Sequence, residues 1–120
     1  MVNILAIDDD EKFTFLIEDL FKNVGYNIIT KNNGREGINA FNRSEDIDIV
    51  ITDIEMPGIN GNEVAKRIRK SRNKKRRTTP IIALTGSGVE NIEKGLFNNV
   101  LEKPVKIKKL LTTINKYSHN

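Results

Sequence analysis

Val2-Asn3-Ile4-Leu5-Ala6-Ile7-Asp8-Asp9-Asp10 is an apolar run that ends on three consecutive carboxylates. Residues 2–7 contain few polar positions, which is the pattern of a strand covered on both faces. Crowded carboxylates repel one another, and one of them is normally driven to a raised pKa. A cation is the usual means of neutralising such a cluster. The same design recurs in Ile47-Asp48-Ile49-Val50-Ile51-Thr52, which ends on Asp53. Two such strand ends can meet at one edge of a parallel sheet, where they make an oxygen-rich site suited to a hard cation such as Mg²⁺.

Strand and helix patterns alternate along the rest of the chain. Phe13, Leu16, Ile17, Leu20, Phe21 and Val24 have the spacing of an amphipathic helix, capped at Asp10 or its neighbour and stopped by Gly25. A short strand is expected at 27–31 and a second helix over 34–41, with Ile38 and Phe41 inward. The third strand is expected at 47–52. Met56-Pro57-Gly58-Ile59-Asn60-Gly61 reads as a loop, with Asn60 capping a helix through Val64 and Ile68. Pro80 opens a fourth strand at 81–85, a short helix is expected at about 88–95, and a fifth strand at 99–102. Ile107, Leu110, Leu111, Ile114 and Tyr117 trace the last helix. Five βα units in one domain spanning 1–120 imply an α/β fold with a doubly wound, five-stranded parallel sheet. Ligands of such sheets sit at the carboxyl ends of the strands.

Composition narrows the chemistry. The 120 residues include no cysteine and one histidine, His119, so thiolate catalysis, a histidine triad and a histidine zinc site are not expected. Met1 leads straight into the first strand without a basic, apolar leader, and no apolar run approaches membrane-spanning length. The expectation is a cytoplasmic protein without a membrane partner. The net charge of +4 is unevenly distributed. Residues 66–77 hold nine of the 20 basic side chains and no acid, leaving 11 basic and 16 acidic residues elsewhere. This segment reads as the end of the helix through Val64 and Ile68 and a charged loop before the fourth strand, at the amino-terminal edge of the sheet, available for docking an acidic partner. It lacks interleaved aromatics, and no helix-turn-helix pattern is present, so nucleic acid is not expected to bind this chain.

Four strand ends carry chemistry: Asp8-Asp9, Asp53, Thr85 and Lys103. Singly, each has an ordinary structural reading. An Asp run before a helix is an N-cap, Asp53 caps a loop, Thr85 fills a strand, and Lys103-Pro104 or Met56-Pro57-Gly58 makes a turn. Together they supply carboxylates for a cation, a hydroxyl donor and an ammonium at one edge. Phosphoryl transfer to a carboxylate needs that set, because charge spreads over three phosphoryl oxygens in the transition state. Asp53 is the carboxylate that can act as nucleophile.

With these residues in place, the chain resembles the receiver domain of two-component response regulators, of the single-domain chemotaxis or sporulation type. The matching stretches are Ile4 to Asp10, Ile51-Thr52-Asp53-Ile54-Glu55-Met56-Pro57-Gly58-Ile59-Asn60-Gly61, Ile81 to Thr85, and Glu102-Lys103-Pro104. The resemblance implies a flavodoxin-like sheet of order 2-1-3-4-5. It implies that Asp53 accepts a phosphoryl group from a histidine kinase or phosphotransfer protein. Asp9, Asp53 and the backbone carbonyl of Glu55 would ligate Mg²⁺, with Asp8 acting through water. Thr85 and the Gly86 amide would hold phosphoryl oxygens, and Lys103 would form an ion pair ahead of a cis peptide to Pro104.

The chain departs from the family in two places. Val100 stands where an aromatic usually lies three residues before the strand-five lysine. The stretch from Thr85 to Lys103 is also short and punctuated by Gly86, Gly88 and Gly95, each lowering helix stability by roughly 1 kcal/mol. A rival reading takes Asp8 and Asp10 as the nucleophile and acid of a haloacid-dehalogenase-like phosphatase. It leaves Asp53 and Met56-Pro57-Gly58 without a role.

Overall fold

The computed structural model describes residues 1–118; His119 lies outside them. The strands are β1 (Asn3–Ile7), β2 (Asn27–Lys31), β3 (Ile49–Asp53), β4 (Ile81–Thr85) and β5 (Asn99–Glu102). All pair in parallel, in the order β2-β1-β3-β4-β5. The helices are α1 (Glu11–Asn23), α2 (Gly34–Arg43), α3 (Gly61–Arg69), α4 (Lys74–Arg77) and α5 (Ile107–Ser118). This is the doubly wound, flavodoxin-like α/β architecture expected from the alternating pattern.

The period-two alternation of the strands divides the core. Leu5, Ile7, Val50 and Ile81 face one side, where they pack with Ile38 and Phe41 of α2 and Val64, Ala65 and Ile68 of α3. Ile4, Ala6, Ile49, Ile51, Ile82 and Leu84 face the other, against Ile17 and Phe21 of α1 and Leu110 and Ile114 of α5. Burial on both faces is why β1, β3 and β4 read as nearly continuous apolar runs. Polar side chains at the helix starts complete the backbone hydrogen bonding. Asp10 accepts from the Lys12 and Phe13 amides, Asn33 from Glu36 and Asn60 from Glu63.

Four local expectations are corrected. The inward face of α1 is narrower than its apolar pattern: Thr14, Ile17 and Phe21 are buried, whereas Leu16 and Val24 are exposed. Thr14 takes an inward place because its hydroxyl accepts a hydrogen bond from Asn32 Nδ2 at 2.9 Å. The third strand begins at Ile49 rather than 47 and ends on Asp53 itself. The helix expected at 88–95 is only a 3₁₀ turn over Val89–Asn91. Gly88 and Gly95 flank it at φ +91° and +87°, a region closed to helix and to most side chains. Leu96 and Phe97 still pack on the core from this irregular segment.

The fourth correction concerns the basic run. Its first residues end α3 as expected, but the part expected as a loop holds a further helical turn. Asn73 caps the one-turn helix α4 by accepting from the Arg76 amide. Arg69 donates to the carbonyls of Leu96, Arg77 and Thr79, and Arg76 donates to the Ser44 carbonyl while lying over the Phe41 ring. These arginines tie the amino-terminal edge of the sheet together. Arg72, Lys74 and Lys75 remain exposed.

Gly61 brings α3 up to the site. A Cβ at this position would run into the Asp53 carbonyl oxygen and the Ile54 Cα. Only glycine therefore lets the first turn of α3 lie against the end of β3, where the Gly61 amide donates to the Ile54 carbonyl at 3.0 Å.

Candidate active site

Parallel register brings the chemistry-bearing strand ends to one edge. Ile7 is opposite Thr52, Asp53 opposite Leu84, and Thr85 opposite Glu102. Asp8, Asp53, Thr85 and Lys103 consequently emerge from neighbouring strands. Asn32 holds the first loop in place by donating to the Asp8 carbonyl. The peptide between Lys103 and Pro104 is cis, as the resemblance implied.

Lys103 Nζ lies 3.1 Å from Asp8 Oδ2 and 3.1 Å from Asp53 Oδ2. Both aspartates are almost fully buried, and Asp9 beside them is exposed. Burial disfavours the charged form of each buried carboxylate. Burial and the neighbouring Asp8 charge push Asp53 up to about 6, against the hydrogen bond and charge of Lys103. Asp8 is raised mainly by burial, which outweighs the Asp10 amide donated to its Oδ1 and the pull of Lys103. Burial tends to lower Lys103, yet the two carboxylates outweigh it and hold the ammonium above its ordinary range. The single ammonium thus leaves one negative charge uncompensated between the two buried aspartates.

This arrangement fits a divalent cation. Asp8, Asp9 and Asp53 each offer a carboxylate oxygen, all within 4.8 Å of one another. Asp53 Oδ1 is buried without a hydrogen-bond partner. A buried, unsatisfied carboxylate oxygen is costly unless a donor or metal engages it. An all-oxygen donor set of this kind suits a hard cation.

Thr85 is fully buried at the next strand end. Its hydroxyl lies 3.0 Å from Glu55 Oε2 and 3.2 Å from the Gly88 carbonyl. The Gly86 amide donates to Glu55 Oε1 at 3.1 Å, and the Ser87 hydroxyl donates to Oε2 at 2.9 Å. Burial opposes ionisation of Glu55, but the Gly86 amide and the Ser87 and Thr85 hydroxyls prevail, with help from Lys103, and hold its carboxyl below the ordinary range. Sequence reading singled out only the Glu55 carbonyl and missed this side chain and Ser87. The available signal was an acid two residues beyond Asp53, at the end of the strand that pairs with β4.

Asp10, the acid of the rival phosphatase reading, is not part of the site. Its carboxylate caps α1 through the Lys12 and Phe13 amides.

Comparison with known proteins agrees with this geometry. Residues 4–115 match the model of the response regulator receiver domain. The chain is 34% identical over 119 residues to a CpxR homolog, a transcriptional regulatory protein of Haemophilus influenzae, covering 95% of this chain and 49% of that protein. It is 28% identical to the sensor histidine kinase GacS of Pseudomonas protegens, covering 96% of this chain and 13% of the kinase. The chain therefore spans half or less of the length of these two relatives. Among solved structures, the response regulator TrrA of Thermotoga maritima, in complex with Mg²⁺-BeF, superposes with a TM-score of 0.84 at 34% identity, covering 98% of this chain and 99% of TrrA. TrrA has also been solved with the histidine kinase ThkA. The phosphatase reading has no support in these likenesses, and the chain belongs to the response regulator receiver domain family.

Proposed function

We propose that this receiver domain takes a phosphoryl group from a histidine kinase or phosphotransfer protein onto Asp53, in phosphorelay or stand-alone signalling in the cytoplasm, and thereby switches binding of a downstream protein. The observation that carries the reading is the buried Asp53, held by Lys103 through one oxygen while Oδ1 has no partner. An Asp53 oxygen attacks phosphorus, the P–N bond of the phosphohistidine breaks, and the electron pair returns to the imidazole nitrogen. Lys103 stays near the acceptor and offsets charge on a phosphoryl oxygen. Thr85 and the Gly86 amide are the donors for the other oxygens. Beyond attacking and releasing phosphorus, the domain catalyses no reaction on an external metabolite.

The cation in this reading is Mg²⁺, held by Asp9, Asp53 and the Glu55 carbonyl, with Asp8 acting through water. When bound, it neutralises the carboxylate cluster and the incoming phosphoryl charge. Asp9→Ala is expected to weaken Mg²⁺ binding by tenfold or more and to raise the thermal midpoint of the metal-free protein by removing one charge from the cluster. Titration calorimetry and a melting curve in chelator measure both. Unchanged Mg²⁺ affinity would contradict the ligand set. The exposed Arg72, Lys74 and Lys75 form the surface proposed for an acidic partner.

The direct test is incubation with acetyl phosphate and Mg²⁺ followed by intact mass and site mapping. One added phosphoryl group on Asp53 is expected. A label on Asp8 or Asp10 would return the rival phosphatase chemistry to consideration.

A further inference from the structure

The Thr85 hydroxyl and the Gly86 amide, the two donors assigned above to phosphoryl oxygens, already hold an anion. That anion is the side chain of Glu55. The contact is organised rather than incidental. Oε1 takes the Gly86 amide, and Oε2 takes the Ser87 hydroxyl and lies 3.0 Å from the Thr85 hydroxyl, nearer than the Gly88 carbonyl that also stands within reach of its proton at 3.2 Å. Asn91 Nδ2 donates to Ser87 Oγ at 2.7 Å, which fixes that hydroxyl as a donor toward Glu55. The same segment is anchored to α3. Asn62 donates to the Asn91 carbonyl at 2.7 Å and accepts from the Glu93 amide at 3.0 Å, while Lys66 pairs with Glu93 at 2.9 Å. The segment that carries these donors is thus fastened to α3.

A carboxylate and a phosphoryl group ask for the same partners. Both are oxyanions, and hydrogen bonds from N–H and O–H donors to either are stronger than those to neutral acceptors. The Thr85 hydroxyl has one proton and the Gly86 amide one hydrogen, so neither can serve both anions in full. Glu55 is itself exposed at the surface, so a displaced carboxylate moves directly into water.

We propose that the Glu55 side chain is an internal competitor for the phosphoryl-oxygen site. It occupies Thr85 and the Gly86 amide in the unphosphorylated domain, and phosphorylation of Asp53 proceeds with its displacement. The inference rests on the reading of Asp53 as phosphoacceptor. It makes Glu55 a residue that sets how readily this domain accepts a phosphoryl group, in addition to the role proposed for its backbone carbonyl. It also joins the acceptor to the segment at 86–93, because release of the carboxylate takes the acceptor away from the Ser87 hydroxyl, to which Asn91 donates.

The test compares the parent with Glu55→Ala and Glu55→Gln at saturating Mg²⁺. Beryllofluoride is the probe for the phosphoryl group, and the Gly86 amide resonance reports the cradle. Glu55→Ala is expected to bind beryllofluoride about tenfold more tightly, within the range usual for two coupled sites, and to be phosphorylated faster by acetyl phosphate. Glu55→Gln, which loses the charge but keeps one acceptor oxygen, is expected to fall between. The Gly86 resonance of the beryllofluoride-free protein should shift in both variants, and the beryllofluoride complexes of parent and variants should coincide there. Equal or weaker beryllofluoride affinity in both variants, with phosphate still mapping to Asp53, overturns the competition. A label that persists when Asp53→Asn is combined with Glu55→Ala overturns instead the assignment of the phosphoacceptor.

Discussion

Asp53→Asn is expected to abolish phosphorylation by small phosphodonors and, at the same time, to stabilise the metal-free protein at neutral pH. The first effect follows from chemistry, since a carboxamide oxygen lacks the charge that makes a carboxylate nucleophilic. The second follows from burial. Desolvation and the Asp8 charge lift the Asp53 carboxyl to about 6 in the folded domain, against roughly 3.9 in an unfolded chain. Because the folded value is the higher one, the native state gains from this carboxyl at low pH and loses that gain as pH rises toward 6. An asparagine resembles the protonated acid and titrates nowhere. The variant should therefore match the parent near pH 4, gain steadily between about pH 4 and 6, and level off on the order of 2–3 kcal/mol ahead at pH 7. Urea unfolding in chelator across that range measures it. A difference that does not change with pH would show that the Asp53 carboxyl is not perturbed in this way.

The parts of the site legible in the sequence are those that sit at the ends of buried strands. Asp8, Asp53 and Thr85 each end or follow an apolar run, Lys103 follows the short strand β5, and parallel pairing leaves those ends on one edge of the sheet. The Asp10 and Asn60 caps were legible for a related reason, since each acts on amides within three residues of itself. Glu55 was not, because its partners lie 30–32 residues downstream and meet it only once β4 has paired with β3. The basic run misled in the same manner. Its charge is plain, but apart from the Asn98 side chain the hydrogen-bond partners of Arg69 and Arg76 are backbone carbonyls, which carry no signature in sequence. Leu16 has the spacing of an inward residue and is nevertheless exposed, because the buried side of α1 runs through Thr14, Ile17 and Phe21 and leaves Leu16 on the flank of the helix.

Lys103→Met should produce the largest loss of stability of any single change at the site. Methionine preserves much of the lysine stem and removes the only ammonium that pairs with Asp8 and Asp53 among the described residues. Removing one partner of a buried ion pair leaves an uncompensated buried charge, at a typical cost of 3–5 kcal/mol. Here the lysine side chain retains 30% exposure, so about 3 kcal/mol at pH 7 in the absence of divalent cations is expected. The loss should depend on pH in a defined direction. Without the ammonium both carboxyls rise further above their unfolded values, so the penalty is full at pH 7 and relaxes as acidification protonates them. A divalent cation addresses the same two carboxylates, and any ligand that binds only the folded state stabilises it. Mg²⁺ should therefore restore part of the lost stability, while phosphorylation remains slow because the phosphoryl oxygen facing Lys103 has lost its counter-charge. Thermal unfolding of parent and variant at pH 5 and pH 7, with and without Mg²⁺, separates these effects. If Lys103→Met melts with the parent at pH 7 in chelator, the two buried aspartates do not depend on this lysine, and the electrostatic account of the site fails.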